Sequence, residues 1–545
     1  MKAMPYSDIP QVGQLTALLR AKGVRDIVVC PGSRNAPLVH NFHAAGGAFR
    51  LHPLTDERSA AFAALGISLA TQEPAAVCVT SGSALLNCLP AVAEAFYRHV
   101  PLLVISADRP PRWIGQGDGQ TLPQDGALRP YCRTFQLCEP HTEEDAWHNN
   151  RLINEALLSL GDFGGQPAHI NVPLSEPLFS FTSAALPAAR VTDKVRPAAS
   201  APLPREVVAM VAEARLPALL IGQYEGGDLR QAVDGLSARE QLLVLPELLS
   251  DVAGSFRTNA FDALTPEGGA ELLPDVVVHV GGNFVHKRLK SLLRGSGCRV
   301  VRVGLDHGMT DTFTHLTHWV ECPPLPALAQ LSRELPAGRG SVRRAAERLD
   351  AAWKAQSEAL RRKAEEAESL TFHGVLLALR TRLERENEPY SLHFGNSTAV
   401  RAASLVFEAG GCPVFCNRGT NGIEGSLSTA AGYAMAMWGK TIAVLGDLSF
   451  FYDANGLWNT ELPAGLRVMV LNNGRGGIFD TLPGLEVSPA RQRYISAGGA
   501  CFSAEGVART FGAGYHFTDT KAQLAPALDA WLAGDGTQVL EVRLP

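Results

Sequence analysis

Asp447 ends the apolar run "TIAVLGD" and Asn473 ends "LRVMVLNN", 26 positions later (473 − 447). A carboxylate, an amide oxygen and a free backbone carbonyl make a hard oxygen site suited to Mg²⁺, with coordination positions left for phosphate oxygens. The separation is that of one strand-helix-strand crossover, which would set both residues side by side at the carboxyl ends of neighbouring parallel strands. Glycines in "NNGRGGIF" admit close backbone approach to an anion, although Asn-Gly is also a common turn dipeptide.

Basic and polar residues recur just after other apolar runs. "CPGSRNAPL" carries Ser33 and Arg34, and "SADRPPRWIGQGDGQTLPQ" carries Arg109 and Gln120. "GNSTAVR" sets Ser397 and Arg401 one helical turn apart, and "CNRGTNGIEG" holds Arg418 and Ile423. Guanidinium forks suit carboxylates, so several of them converging on strand ends predict a substrate with more than one carboxylate. Any one of them taken alone is better accounted for by a surface ion pair; the shared position carries the argument. Glu57, between "LHPLTD" and "SAAFAALGISLA", is an acid at a helix start, where the helix dipole alone would favour it.

The elements that must position these groups fall into three stretches. Short β-rich runs ("DIVVC", "AAVCVT", "PLLVISA", "AHINVPL") alternate with helical segments in the first, the pattern of a parallel sheet. A Pro/Ala-rich linker, "AALPAARVTDKVRPAASAPLP", leads to a second α/β unit containing "PALLIG", "QLLVLP", "DVVVHVGG" and "CRVVRVG". The charged segment "SVRRAAERLDAAWKAQSEALRRKAEEAESL" reads as a solvated helical connector. The third unit repeats the first rhythm with "SLHF", "CPVFC", "TIAVLGD", "LRVMVLNN" and "VLEVRL". The expected boundaries are 1–183, 184–369 and 370–545, each an α/β domain with a doubly wound, mainly parallel sheet.

A chain of 545 residues, 46% hydrophobic and 19% charged, has ample core for such units, and its net charge of −5 argues against a nucleic-acid surface. No run of about 18 apolar residues suggests a membrane span, and no leader is evident, so the expectation is a soluble, cytoplasmic protein. Ten cysteines without a Cys-x-x-Cys pair read as reduced core residues.

Gly-Asp followed at this distance by Asn-Asn resembles the motif of the thiamine-diphosphate-dependent enzymes. That resemblance implies the thiamine-diphosphate-binding fold, with Mg²⁺ (or Mn²⁺) held by Asp447, the Asn473 side chain and the Arg475 carbonyl. Leu448, Ser449, Gly476 and Ile478 would lie along the diphosphate. Leu448 stands where the superfamily usually has glycine, and "GDLS" is what one branch looks like. The same resemblance makes Glu57 the carboxylate that activates the cofactor and Ile423 the apolar wedge that keeps it bent. It also implies a homodimer or dimer of dimers, with each site shared between the first domain of one subunit and the third domain of another.

"PGSR", "DER", "ADRPP", "GNS" with Arg four positions after the serine, "NRG", "GDLS" and "NNG" with "GIF" occur in one order along nearly the whole chain. In that order they closely resemble the 2-succinyl-5-enolpyruvyl-6-hydroxy-3-cyclohexene-1-carboxylate synthase family of menaquinone biosynthesis. Its members decarboxylate 2-oxoglutarate on thiamine diphosphate and add the succinyl-semialdehyde unit to isochorismate. By matching positions, Ser397, Arg401 and Arg418 would grip the distal carboxylate derived from 2-oxoglutarate. Ser33, Arg34, Arg109, Gln120 and Lys287 would orient isochorismate, with Phe479 packed near it; Lys287 reads equally as a helix-surface charge. Two departures stand out. Asp118 and Gly119 interrupt the family's Gly-Ala-x-Gln, and Asn35 replaces the usual serine.

Acetolactate synthases and 2-oxoacid decarboxylases share the three-unit layout, and some carry FAD. "DVVVHVGGNF" lacks a full Gly-x-Gly-x-x-Gly, so no FAD is expected. A thiamine-diphosphate-binding regulator without turnover would need the metal site but would have no use for Glu57.

Overall fold

A computed structural model describes residues 4–196, 200–225, 229–252, 270–408 and 410–545. Its framework is three separate sheets in which every strand pairing is parallel. The first contains β1 (Asp26–Val29), β2 (Arg50–Pro53), β3 (Ala75–Val79), β4 (Leu102–Asp108), β5 (Arg133–Gln136) and β6 (Pro167–Pro173), in the order β2-β1-β3-β4-β6-β5. The second contains β7 (Pro217–Ile221), β8 (Leu243–Pro246), β9 (Val276–Val280), β10 (Arg299–Val303) and β11 (Leu316–Val320), ordered β11-β10-β9-β7-β8. The third contains β12 (Tyr390–Phe394), β13 (Val414–Phe415), β14 (Lys440–Gly446), β15 (Leu466–Asn472), β16 (Gly514–Thr518) and β17 (Gln538–Arg543), ordered β13-β12-β14-β15-β17-β16. The first and third sheets thus have the same topology, which is why their sequence rhythms match.

Central strands are apolar on both faces because helices cover both. Side chains of β1, β3 and β4 alternate between two cores: Ile27, Ala76 and Ile105 point one way and Val28, Val77 and Val104 the other. The second and third sheets are likewise sandwiched between two cores each. That is the doubly wound arrangement expected of such runs.

The charged connector is the helix Gly340–Glu366, but it is not wholly solvated. Val342, Ala345 and Leu349 are buried in a core of the second unit, while Lys521 Nζ binds the carbonyls of Ala364, Glu365 and Ala367 near its end. The first and third units meet through the helices Glu57–Thr71 and Ser426–Ala436. A Cβ placed on Gly66 would lie 2.0 Å from the Thr429 carbonyl oxygen, and one on Gly432 would lie 2.0 Å from that of Ala63. Only glycine permits this backbone approach. All ten cysteines are free thiols, most of them buried. Among the described residues no helix is long and apolar enough to cross a membrane.

Candidate active site

β14 and β15 are adjacent, with Gly446 opposite Leu471, so Asp447 and Asn473 leave the same edge of the third sheet. Asp447 opens the short helix Asp447–Tyr452 and is 5% exposed. Burial pushes its pKa up to about 6, against the backbone N–H groups of Leu448 and Gly474, which favour the charged form. Among the described residues it forms no salt bridge, and no trio of His, Cys, Asp and Glu gathers elsewhere. A buried carboxylate outside any salt bridge among the described residues, beside an amide oxygen and a glycine turn, fits a divalent cation.

The turn after β15 is held from behind. Glu541 of β17 is fully buried and accepts from Asn472 Nδ2 (2.7 Å), Ser503 Oγ (2.9 Å), the Ala504 N–H (2.8 Å), the Tyr515 hydroxyl (2.8 Å) and Arg543 Nη2 (2.7 Å). Asn472 in turn accepts from the Gly474 N–H at 3.2 Å. Asn473 is thereby left half-buried at the mouth, and the Arg475 carbonyl accepts from the Gly477 N–H at 3.0 Å. Gly476 binds the Ser496 carbonyl at 2.7 Å, and a Cβ on it would lie 3.0 Å from the Phe479 ring. Leu448, Ile478 and Phe479 are half-buried around this turn.

A second loop, residues 416–423, is clamped by all three units. Glu94, fully buried, accepts from the N–H groups of Gly419 (2.9 Å) and Thr420 (2.7 Å), and Arg98 Nη1 donates to Asn417 Oδ1 at 2.8 Å. Gln223 Nε2 donates to the Cys416 carbonyl (2.9 Å) and Asn283 Nδ2 to that of Arg418 (2.6 Å). Asn396 donates to the carbonyls of Asn417 and Gly422, both at 2.6 Å. Ile423 emerges 38% exposed, an apolar side chain with an open face.

The cationic residues converge beside this loop. Ser397 caps the helix Thr398–Val406 with φ 73, a left-handed conformation rare outside glycine, and Arg401 follows one turn later. Arg401 is held below the usual arginine range, first by burial and then by the Arg418 charge. Lys290 is lowered by burial and again by Arg418. Arg401 and Lys290, both half-buried and both depressed by the buried Arg418, make a cationic cluster suited to a multiply charged anion. Lys287, by contrast, is exposed at the first position of the helix Lys287–Arg294, whose capping His286 shares a 2.6 Å hydrogen bond with Ser404 of the Arg401 helix.

Candidates of the first unit lie at its own strand ends. Glu57 begins its helix behind the N-cap Asp56, and its carboxylate accepts from Asn87 Nδ2 at 3.3 Å. Arg34 is buried and donates to the Leu174 carbonyl (3.0 Å) and Glu176 (3.2 Å); Ser33 beside it is exposed. Arg109 lies against Asp118 and Gly119, and Gln120 is exposed with φ 56. Among the described residues no hydrogen bond or ion pair joins Glu57, Ser33, Arg34, Arg109 or Gln120 to the Asp447 and Asn473 turns of the same chain.

A model of the thiamine pyrophosphate enzyme N-terminal domain, described as TPP binding, matches residues 12–127. Over 501 residues the chain is 41% identical to a 2-succinyl-5-enolpyruvyl-6-hydroxy-3-cyclohexene-1-carboxylate synthase of Bacteroides fragilis, covering 90% of this chain and 88% of the relative. The Bacteroides thetaiotaomicron synthase of that name is 38% identical, covering 96% and 93%, and that of Flavobacterium johnsoniae is 34% identical, covering 99% and 97%. The chain belongs to the 2-succinyl-5-enolpyruvyl-6-hydroxy-3-cyclohexene-1-carboxylate synthase family.

As a member of this synthase family it is a thiamine-diphosphate-dependent transferase of the menaquinone pathway. Two polar groups near these residues escape a reading by motif, whereas Asn396 lies within "GNS". Glu541 and Lys290 sit among ordinary strand and helix residues, and only the packing of distant segments brings them here. The one signal was a carboxylate between apolar residues, Glu541 within "VLEVRL".

Proposed function

We propose that this synthase decarboxylates 2-oxoglutarate and joins the remaining four-carbon unit to isochorismate, at a site completed by a second copy of the chain. The observation that supports the substrate reading is the crowding of Arg401 and Arg418 in partly desolvated positions, which favours a bound dianion over water. Domains divide at 183/184 and 369/370, with the linkers on either side of the middle unit.

Bound thiamine diphosphate supplies the carbanion-stabilising chemistry. Asp447, Asn473 and the Arg475 carbonyl hold Mg²⁺ or Mn²⁺, and the turn with Leu448, Ser449, Gly476 and Ile478 accommodates the diphosphate. Glu57 would hydrogen-bond the cofactor's aminopyrimidine ring nitrogen, and Ile423 would give the cofactor an apolar surface to rest on. Glu57 serves the metal turn of a partner chain in a homodimer or dimer of dimers. Ser397, Arg401 and Arg418 take the distal carboxylate of the first substrate. Ser33, Arg34, Arg109, Gln120, Lys287 and Phe479 orient isochorismate.

The test is Arg401→Lys, which keeps the charge and loses the planar fork. kcat/KM with 2-oxoglutarate should fall by about 1 to 3 kcal/mol while decarboxylation of pyruvate changes less. Equal losses with both donors would remove Arg401 from recognition of the distal carboxylate.

A further inference from the structure

Asp118 and Gly119 supply partners of the Arg109 guanidinium. Nε donates to the Gly119 carbonyl at 3.1 Å, and Nη1 lies 3.4 Å from Asp118 Oδ2. The chain doubles back to place them there. Gly115 and Gly117 have φ 76 and 82, Gln120 has φ 56, and Thr121 Oγ1 binds the Asp118 carbonyl at 2.8 Å.

The returning leg is fixed firmly. Gln124, 1% exposed, donates to Ser106 Oγ (3.1 Å), the Ala107 carbonyl (3.2 Å) and Asn171 Oδ1 (2.7 Å), and it accepts from the Gly82 N–H at 2.8 Å. The tip is not: the Arg109 and Asp118 side chains are 26% and 37% exposed. A carboxylate on a short tether therefore stands at an arginine placed among the isochorismate ligands.

We propose that Asp118 is a specificity-determining residue, its carboxylate occupying Arg109 in the substrate-free enzyme until a substrate carboxylate displaces it. The exchange trades one carboxylate for another on the same guanidinium, so it yields little by itself. A short tether presents Asp118 at an effective concentration of about millimolar, which a singly anchored monocarboxylate does not overcome. A dianion that also reaches a second cation does. The pair is partly hydrated, so it is an exchangeable contact, unlike the buried Arg34 bonds to Leu174 and Glu176.

This inference rests on the assignment of Arg109 to isochorismate, and three variants separate the two. In Asp118→Ala and Asp118→Asn, KM for isochorismate should fall by about two- to fivefold, the span of an exposed ion pair, with KM for 2-oxoglutarate unchanged. An unchanged isochorismate KM would make Asp118 a bystander, and a raised one would make it a support for Arg109; either overturns the proposal. Arg109→Met should raise KM for isochorismate and abolish the effect of adding Asp118→Ala. If Arg109→Met leaves that KM unchanged, the assignment of Arg109 itself is wrong and the proposal goes with it. If Arg109→Met raises it while Asp118→Ala does nothing, only the role given to Asp118 fails.

Discussion

Ser449 Oγ donates to the Ile423 carbonyl at 2.6 Å, tying the helix that begins at Asp447 to the loop that carries the exposed Ile423. The Asp447 helix and the Ile423 loop are thus one mechanical unit. Ser449→Ala should weaken thiamine diphosphate binding by about 1 kcal/mol, near fivefold, because it removes that link and leaves a part-buried carbonyl without its partner. Calorimetric titration in the presence of Mg²⁺ measures it, and unchanged affinity would show that the loop keeps its place without Ser449.

Glu541 acts further back, on the turn that presents Asn473. Glu541→Gln turns one of two acceptor oxygens into an NH2 donor, which then opposes either Asn472 and Arg543 on one side or the Ala504 N–H on the other. The apparent Mg²⁺ affinity of cofactor loading should fall about tenfold or more, given the 1–3 kcal/mol that a buried mismatch costs. Asp447→Ala should abolish the metal dependence altogether. A Glu541→Gln protein with a lowered thermal midpoint but normal Mg²⁺ dependence would confine Glu541 to stability.

Subunit exchange tests the shared site. Glu57→Gln should lose turnover while cofactor affinity stays within roughly tenfold, since glutamine keeps the size but not the charge. Asp447→Ala should also be inactive. After random exchange of the two proteins, one site of each mixed dimer carries both changes and the other neither, so about a quarter of wild-type activity should return. Background activity despite exchange confirmed by mass spectrometry would place Glu57 and Asp447 in one chain's site.

Acid should loosen the fold through its buried imidazoles. His169, bonded to Ser106 and Thr134, is pushed down to about 3 by burial, as is His393; His307 is lowered to about 4. Below an ordinary histidine pKa of about 6.5 the unfolded chain binds protons that the folded chain does not. Their stabilisation is therefore full above that value and is lost as pH falls towards 3, at roughly 1.4 kcal/mol per unit for each fully buried ring. Asp453, raised to about 6 by burial, has the opposite sign and offsets part of this between about 6 and 4. The drop in thermal midpoint from about pH 7.5 to about pH 5 should be smaller in His169→Asn than in the wild type. An identical drop would mean that His169 is not a source of the acid lability.

Central strands were legible in the sequence because burial on both faces leaves continuous apolar runs, and β14 and β15 placed Asp447 and Asn473 without further information. The strands that escaped, Arg50–Pro53, Arg133–Gln136, Leu316–Val320 and Gly514–Thr518, all lie at sheet edges, where alternate residues meet solvent. Their composition resembles loop, and only pairing with a distant neighbour makes them strands. "CPVFC" read as a full strand, yet only Val414 and Phe415 pair, because the following residues turn away to meet Glu94 and Arg98. Among site residues, motif position located Arg401 and Arg418. Lys290 needed the third dimension: it shares the helix of Lys287, and only the folded packing brings it close enough to Arg418 to feel that charge.

Isochorismate consumption by the purified holoenzyme, followed with each component omitted in turn, tests the assignment most directly. Loss of isochorismate should require 2-oxoglutarate, thiamine diphosphate and Mg²⁺ together, and should release one carbon dioxide for each product formed. Loss of isochorismate without 2-oxoglutarate, or carbon dioxide release from 2-oxoglutarate that leaves isochorismate untouched, would contradict it.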